Sequence, residues 1–259
     1  MPSDLLRQLA TIAAILGAFL VNVLSNFYPL NGLNIGEISN TLFAGVQITP
    51  ASYAFAIWGL IYLALFSFGV YQLLPAQRQN PSLRRIGYRL VWACIAQAIW
   101  VFLFLSRQFL LSLLAMLGIL LPLIAIYLRL EVGQQRVSPQ EQWLVRQPIS
   151  IYLGWITVAT VVNVAIALSA LDWSGWGISP PVWTAILIIV SAAIATIAAT
   201  HRKDAAYPLV IVWASIAIAV RQHAIPLIAV TAIVASVFLS LLVLATQLRK
   251  GDRSSLPSL

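Results

Sequence analysis

Large aromatic side chains and amides recur at helical spacing in three apolar segments of the chain. On each segment an aromatic residue shares one helix face with an amide, a small residue or a second ring. These faces consist of Trp58 with Tyr62, Gln97 with Trp100, and Trp155 with Ala159 and Asn163. Rings of this kind stack on flat apolar molecules, and a few amides can orient such a ligand. The same faces also suit packing between helices, where amides hydrogen-bond across the contact.

The apolar segments lack the groups that proton transfer or covalent catalysis requires. All acidic residues fall outside them: Asp4, Glu37, Glu131, Glu141, Asp172, Asp204 and Asp252. Ion pumps depend on intramembrane carboxylates and retinal proteins on an intramembrane lysine, whereas Lys203 and Lys250 lie outside the segments. His201 and His223 flank one segment at opposite ends, so they cannot ligate one haem, and Cys94 has no cysteine partner. We therefore predict no catalytic residue, no metal site and no resident cofactor.

Composition indicates an integral membrane protein surrounded by lipids. Of the 259 residues, 61% are hydrophobic and only 8% are charged, whereas about 25% are charged in soluble domains. The net charge of +8 could suggest nucleic-acid binding in a soluble protein. No polar stretch is long enough for such a module, so the sequence predicts no nucleic-acid partner.

Eight segments are long enough to cross a membrane as helices, since about 20 apolar residues span the hydrocarbon core. Interruptions by charged residues, Pro, Gly and Asn place them at residues 8–28, 51–74, 88–106, 109–129, 148–170, 181–200, 206–221 and 224–247. The first follows Arg7 as in a signal peptide, but no small-residue cleavage site comes after it. We therefore predict an all-α protein with about eight transmembrane helices.

The basic residues are distributed unevenly between the two sides of such an arrangement. If all eight helices cross, thirteen Lys and Arg residues share one side and only Arg107 and Arg221 lie opposite. The positive-inside rule then predicts a plasma (inner) membrane protein with both termini in the cytoplasm.

Two connections on the charge-poor side are longer than tight turns: Pro29–Pro50 and Leu171–Pro180. The first contains no Lys or Arg, and its Gly, Asn and apolar residues suit either a lid over a helix bundle or a plain connector. Trp173 and Trp176 in the second suit an aromatic belt at headgroup depth.

Three stretches of sequence resemble the tryptophan-rich sensory protein/translocator protein (TspO/MBR) family. Thr49–Tyr62, TPASYAFAIWGLIY, is similar to the family's second helix, with a proline eight residues before W-x-x-x-Y. Gly154–Asn163, GWITVATVVN, is similar to its last core helix. Between them, QAIW followed by Phe104 resembles the third helix, which usually has Asn at the position of Gln97.

The resemblance covers residues 5–171 and implies a five-helix bundle with an inner pocket closed by the first long loop. The family binds tetrapyrroles such as protoporphyrin, sterols and benzodiazepine-type ligands, so the resemblance implies a porphyrin or another apolar small molecule as ligand. The implied ligand-binding residues are Pro50, Tyr53, Trp58, Tyr62, Gln97, Trp100, Trp155, Ala159 and Asn163. The small side chain of Ala159 would leave room for the ligand. Family members also form dimers, so a homodimer is an open alternative.

The chain also departs from the family pattern. Tyr53 stands where Trp is common, and NTLFAGVQITP replaces the usual Trp-rich first loop. We divide the chain into a five-helix bundle (residues 1–171), three additional helices (172–248) and a short basic cytoplasmic tail (249–259). In the additional helices, Trp213 and Arg221 suit interfacial anchors, with an anionic headgroup or propionate as the alternative partner.

These observations predict a membrane receptor or carrier that binds a flat hydrophobic ligand, with a tetrapyrrole as the first choice and a sensory or regulatory role. Two alternatives remain open at this stage. One is an enzyme that degrades the bound porphyrin with a tryptophan as redox partner, and the other is a small-molecule transporter. No convincing repeat relates the two halves, as would be usual for alternating access.

Overall fold

The computed structural model describes residues 2–252, so residues 253–259 of the predicted tail lie outside the described chain. Eight long helices follow one another, and we number them in chain order. They are α1 (Pro2–Phe27), α2 (Ile57–Leu73), α3 (Arg89–Leu105), α4 (Phe109–Arg129), α5 (Gln147–Ala170), α6 (Pro180–His201), α7 (Ala206–Arg221) and α8 (Pro226–Asp252). Shorter helices at Ile35–Thr41, Pro81–Ile86 and Pro139–Glu141 lie in the connections. Residues 2–252 contain no β-strand, which confirms the all-α class.

Six of the described helices are long and apolar enough to cross a membrane, which makes the chain a multi-pass integral membrane protein. The two remaining long helices, α3 and α7, are apolar but have only 17 and 16 residues. At 1.5 Å per residue they reach about 25 Å, close to the thickness of the hydrocarbon core. The first helix begins at Pro2, earlier than predicted, so Asp4 and Arg7 lie in its first turns.

The first five helices form a closed bundle. Helix α1 packs against α2 and α3, α3 packs against α4, α4 packs against α5, and α5 returns to α2. This ring brings α2, α3 and α5, which carry the predicted aromatic faces, around one interior.

The last three helices pack on the outside of this bundle. Helix α7 lies against α5, while α6 and α8 contact each other and α7. At Gly154 the two layers approach so closely that an added Cβ would lie 3.0 Å from Val210 Cβ and 3.2 Å from the Tyr207 carbonyl oxygen. A small residue is therefore needed at this helix crossing. The five-plus-three arrangement confirms the predicted fold class.

Successive connections lie at opposite ends of the helices. At the basic end, Arg84 pairs with Asp4 at 2.5 Å, and the Tyr127 hydroxyl donates to Asp204 at 2.9 Å. Burial raises the pKa of the Asp204 carboxyl, although its hydrogen bonds oppose this effect. At the other end, Asn31 donates to a carbonyl at the end of α3. The alternation is that expected for antiparallel neighbours in an up-and-down membrane bundle.

Candidate ligand-binding site

The three aromatic helix faces meet at one cavity inside the five-helix bundle. Trp58 lies on α2, Trp100 on α3, and Trp155, Ala159 and Asn163 lie on α5, where all five line the cavity. The predicted residue Pro50 also lines it, together with Phe55, Phe104, Val158, Val162, Ile166 and two residues of the first loop, Ile35 and Ser39. Side chains that share a helical spacing on three separate helices thus converge on one cavity.

The cavity is small in this conformation. Its free volume is about 40 Å³, far below the roughly 300–1,000 Å³ of pockets that hold drug-sized ligands. The Phe55 and Trp155 rings meet edge-to-face with their centroids 5.8 Å apart. The two rings therefore fill much of the space between the turn before α2 and α5. A ligand of tetrapyrrole size therefore requires the first loop to move.

Tyr62 and Gln97 lie beside the cavity, in a hydrogen-bonded chain beneath Trp58. The Gln97 amide donates to the Tyr62 hydroxyl at 2.6 Å, and that hydroxyl donates to the Ala18 carbonyl at 3.1 Å. The Tyr152 hydroxyl donates to the Gln97 side-chain oxygen. The Tyr62 ring stacks on Trp58 with centroids 5.7 Å apart. These groups already have partners within the protein, and their bonds fix the position of the Trp58 ring.

Asn163 holds the Trp100 ring in place through a hydrogen bond, as the Tyr62–Gln97 chain does for Trp58. The Trp100 indole N–H donates to Asn163 Oδ1 at 2.7 Å, and Asn163 Nδ2 donates to Ser112 Oγ at 3.1 Å. Ser112 is fully buried on α4. Ser112 and Tyr152 were not predicted as site residues, although Tyr152 lies three residues before Trp155 and so on the same face of α5.

Replacing Asn163 with leucine should lower the free energy of unfolding by about 1–3 kcal/mol, because the buried Trp100 N–H would lose its acceptor. Reversible unfolding in mixed detergent micelles measures this change. Ser112→Ala is the matched control, since it keeps the Trp100–Asn163 bond and should cost less. An Asn163→Leu protein as stable as the wild type would contradict the assigned bond.

Tyr53 lies away from the cavity, at the α7 side of the bundle. Its ring contacts Trp213 edge-to-face at 5.4 Å, and 44% of the residue is exposed. The Trp213 indole N–H donates to the Ala54 carbonyl at 3.0 Å. Trp213, which was expected to be an interfacial anchor, thus has Tyr53 and the Ala54 carbonyl as partners within the protein.

The first long loop covers the cavity and forms its lid. Its short helix, Ile35–Thr41, begins with a capping box in which Asn34 and Glu37 exchange hydrogen bonds between side chain and backbone. Ile35 and Ser39 face the cavity from this helix. The loop therefore corresponds to the predicted lid rather than to a plain connector.

Helix α7 holds the lid in place from outside the bundle. Arg221 donates to the Asn40 side chain and, at 3.4 Å, to the Pro50 carbonyl. Gln222 donates to the Gln47 carbonyl at 3.0 Å. Arg221 thus contacts the lid through its guanidinium, and its expected role as an interfacial anchor stays a prediction. These bonds cross 171 to 181 residues of sequence, which explains why periodicity could not reveal them.

A polar cleft of about 360 Å³ adjoins the aromatic cavity. It shares Ile35, Phe55 and Trp58 with the cavity, and its remaining lining comes from α1 and the lid. The polar lining residues are Asn22, Asn26, Asn34, Glu37, Asn40 and Ser52. A ligand with one polar edge could therefore place that edge in the cleft and its apolar part between the tryptophans.

Comparison with protein families gives a match to the model described as TSPO-like protein, over residues 8–245. The chain belongs to this family. The match extends from α1 into α8 and so includes the three helices outside the five-helix bundle. Comparisons with curated proteins and with solved structures gave no match.

Proposed function

We propose that this TSPO-like protein is a membrane receptor or carrier that binds a flat apolar molecule between α2, α3 and α5, beneath the lid. A tetrapyrrole is the first candidate ligand. The observation that carries the proposal is the convergence of Trp58, Trp100 and Trp155, each from a different helix, around one cavity that a loop covers. Ala159 provides a small side chain on the same wall.

Affinity in this site comes mainly from apolar burial and ring stacking. Burying apolar surface contributes about 25 cal/mol per Å², and aromatic pairs add about 0.5–1.5 kcal/mol beyond that. Tyr62, Gln97 and Asn163 act indirectly, because their hydrogen bonds are made within the protein and hold the tryptophan rings in place. This role replaces the direct ligand hydrogen bonds that the sequence suggested.

Binding proceeds through opening of the lid. The free volume of about 40 Å³ cannot hold a drug-sized ligand, whose pockets are typically about 300–1,000 Å³. Displacement of the Ile35–Thr41 helix and Pro50 would join the cavity to the neighbouring polar cleft. The pocket is built within one chain, so it does not depend on the homodimer that the family resemblance leaves open.

The test is a titration of detergent-solubilised protein with protoporphyrin, followed by quenching of tryptophan fluorescence. Saturable quenching is expected for the wild type. Ala159→Leu should weaken binding by about five- to 140-fold, because overpacking costs about 1–3 kcal/mol and about 1.4 kcal/mol is a factor of ten. Ala170→Leu, at the exposed end of the same helix, is the matched control and should bind like the wild type.

Equal affinity of the Ala159→Leu and wild-type proteins would refute the pocket assignment. Quenching no different from that in empty micelles would refute the tetrapyrrole as ligand. If porphyrin absorbance decays under light faster than in empty micelles, and Trp58→Phe abolishes the decay, the enzyme alternative would be favoured instead.

We infer further that the basic end of the bundle faces the cytoplasm. The inference rests on the excess of Lys and Arg at that end and on the positive-inside rule. In intact inverted vesicles, whose outer face is the cytoplasmic one, Arg136→Cys should react with a membrane-impermeant maleimide, and Leu42→Cys should react only after permeabilisation. Reaction of Leu42→Cys instead of Arg136→Cys in the intact vesicles would contradict the orientation. The native Cys94 is buried and provides little background.

A further inference from the structure

A second and larger cavity lies outside the aromatic pocket, at the charge-poor end. Its free volume is about 470 Å³. It is bounded by lid residues 45–48, the end of α5, the α5–α6 connection and the first turns of α6. The residues that line it include three tryptophans and several small or aliphatic side chains, and none of these lining residues is charged.

The three tryptophans form a cluster at one side of this cavity. The Trp173 ring lies 5.4 Å from Trp176 and 5.3 Å from Trp183, and Trp176 and Trp183 are 6.1 Å apart, centroid to centroid. The Trp183 indole N–H donates to the Gly175 carbonyl at 2.9 Å, which fixes the connection against α6. Belt residues at a membrane interface need no mutual contact. Clustering around a cavity thus requires an explanation besides the predicted aromatic belt.

The backbone that presents Trp176 is unusual. Gly175, Trp176 and Gly177 all have positive φ, at 71°, 52° and 78°. For a residue with a bulky side chain, this left-handed conformation costs roughly 1–2 kcal/mol. Trp176 is 77% exposed, so burial of its ring does not offset that cost. Strain that packing does not explain is typical of residues placed for binding.

One residue of the lining also carries a polar atom without a partner. Gln47 lies in the lid segment, and its Oε1 atom is buried with no hydrogen-bond partner within residues 2–252. Leaving a buried acceptor unpaired is costly. A ligand O–H or N–H would remove that cost, whereas a lipid acyl chain has no donor to offer.

We propose that this cavity is a second binding site, which takes a neutral, flat aromatic molecule carrying one hydrogen-bond donor. Trp173, Trp176 and Trp183 contact the rings of the ligand, and the Gln47 side chain turns so that its buried Oε1 atom reaches the ligand and accepts its hydrogen bond. An uncharged ligand fits because no lining side chain could compensate a charge removed from water. The site is distinct from the pocket beneath the lid, since its ring contacts come from the α5–α6 connection and α6, although lid residues 45–48 border it.

The test uses 1-hydroxypyrene as probe and follows energy transfer from tryptophan to pyrene in detergent micelles. The wild type should show saturable transfer, and Trp176→Leu should weaken binding by about two- to twelvefold, the loss expected for one aromatic contact. Trp143→Leu is the matched control, because Trp143 is a tryptophan that is 69% exposed. It lies in the α4–α5 connection, at the opposite end of α5 from the cavity. It removes one fluorescent donor without touching the cavity.

The donor preference is tested with 1-methoxypyrene, which lacks the hydroxyl hydrogen. The wild type should prefer 1-hydroxypyrene by about fivefold, the contribution of one hydrogen bond, and Gln47→Leu should abolish the preference. Ala159→Leu, which fills the other pocket, should leave both affinities unchanged. The proposal is overturned if Trp176→Leu binds like Trp143→Leu, if the wild type does not distinguish the two probes, or if Ala159→Leu removes the binding.

Discussion

Replacing Glu141 with alanine is expected to lower the free energy of unfolding by about 3–5 kcal/mol, the cost of leaving one member of a buried ion pair without its partner. Arg146 is 1% exposed, and its Nη2 atom lies 3.3 Å from Glu141 Oε1. Its other contact is a hydrogen bond from Nη1 to the Glu131 carbonyl at 3.2 Å. The guanidinium would remain buried with only a neutral acceptor. Reversible unfolding in mixed micelles measures the loss.

Two control variants separate the ion pair from its surroundings. Ser82→Ala removes the hydrogen bond that Ser82 donates to the same carboxylate and should cost only about 1 kcal/mol. In the double variant, Glu141→Ala with Arg146→Met, both charges of this ion pair are absent, so much of the stability should return. A double variant less stable than Glu141→Ala would show that Arg146 stabilises the fold by other means.

Replacing Gly133 with alanine should give the second large loss of stability, because two connections at the basic end meet at this residue. An added Cβ would lie 1.6 Å from the Arg202 carbonyl oxygen and 2.7 Å from its carbonyl carbon. These are backbone atoms, so the connection between α4 and α5 would have to separate from the one between α6 and α7. Gly133 also has φ +75°, a conformation that alanine adopts with strain.

Gly32→Ala isolates the strain from the collision. Gly32 has φ +81°, but an added Cβ there would meet no atom within 4 Å. It should therefore cost only the roughly 1–2 kcal/mol of an unfavourable left-handed backbone. Gly133→Ala should cost at least twice as much, measured as the shift in thermal denaturation in detergent. Equal losses for the two variants would contradict the close approach of the two connections.

The aromatic positions were the part of the candidate site most accessible from sequence. Trp58, Trp100 and Trp155 were identified by helical spacing and by resemblance to the family, and the structure brings them to one cavity. Tyr53 shares a sequence motif with Trp58 but lies against α7 instead, since the turn of helix before α2 directs it outwards. The shared sequence motif alone did not indicate that Trp58 lines the cavity and that Tyr53 lies outside it.

The polar contacts of the site were much harder to predict from the sequence. Ser112 donates to the Phe109 carbonyl of its own helix, as a serine in an apolar helix often does, and it also accepts from Asn163. Only the packing of α4 on α5 decides the second bond. Arg221 and Trp213 are residue types typical of interfacial anchors, whereas their hydrogen-bond partners, Asn40 and Ala54, lie more than 150 residues earlier in the chain.

The sequence by itself determined that the chain is an all-α membrane protein of the TSPO-like family, with the long apolar helices near their predicted positions. It could do so because helix hydrogen bonds are local and because the length and apolarity of a segment report its fit to a bilayer. Only the tertiary structure decided that Tyr62, Gln97 and Asn163 form their hydrogen bonds within the protein. It also decided that α7 holds the lid and that the larger cavity lies beside Trp183. These features depend on contacts between distant segments, whose geometry is set by helix packing and leaves no period in the sequence.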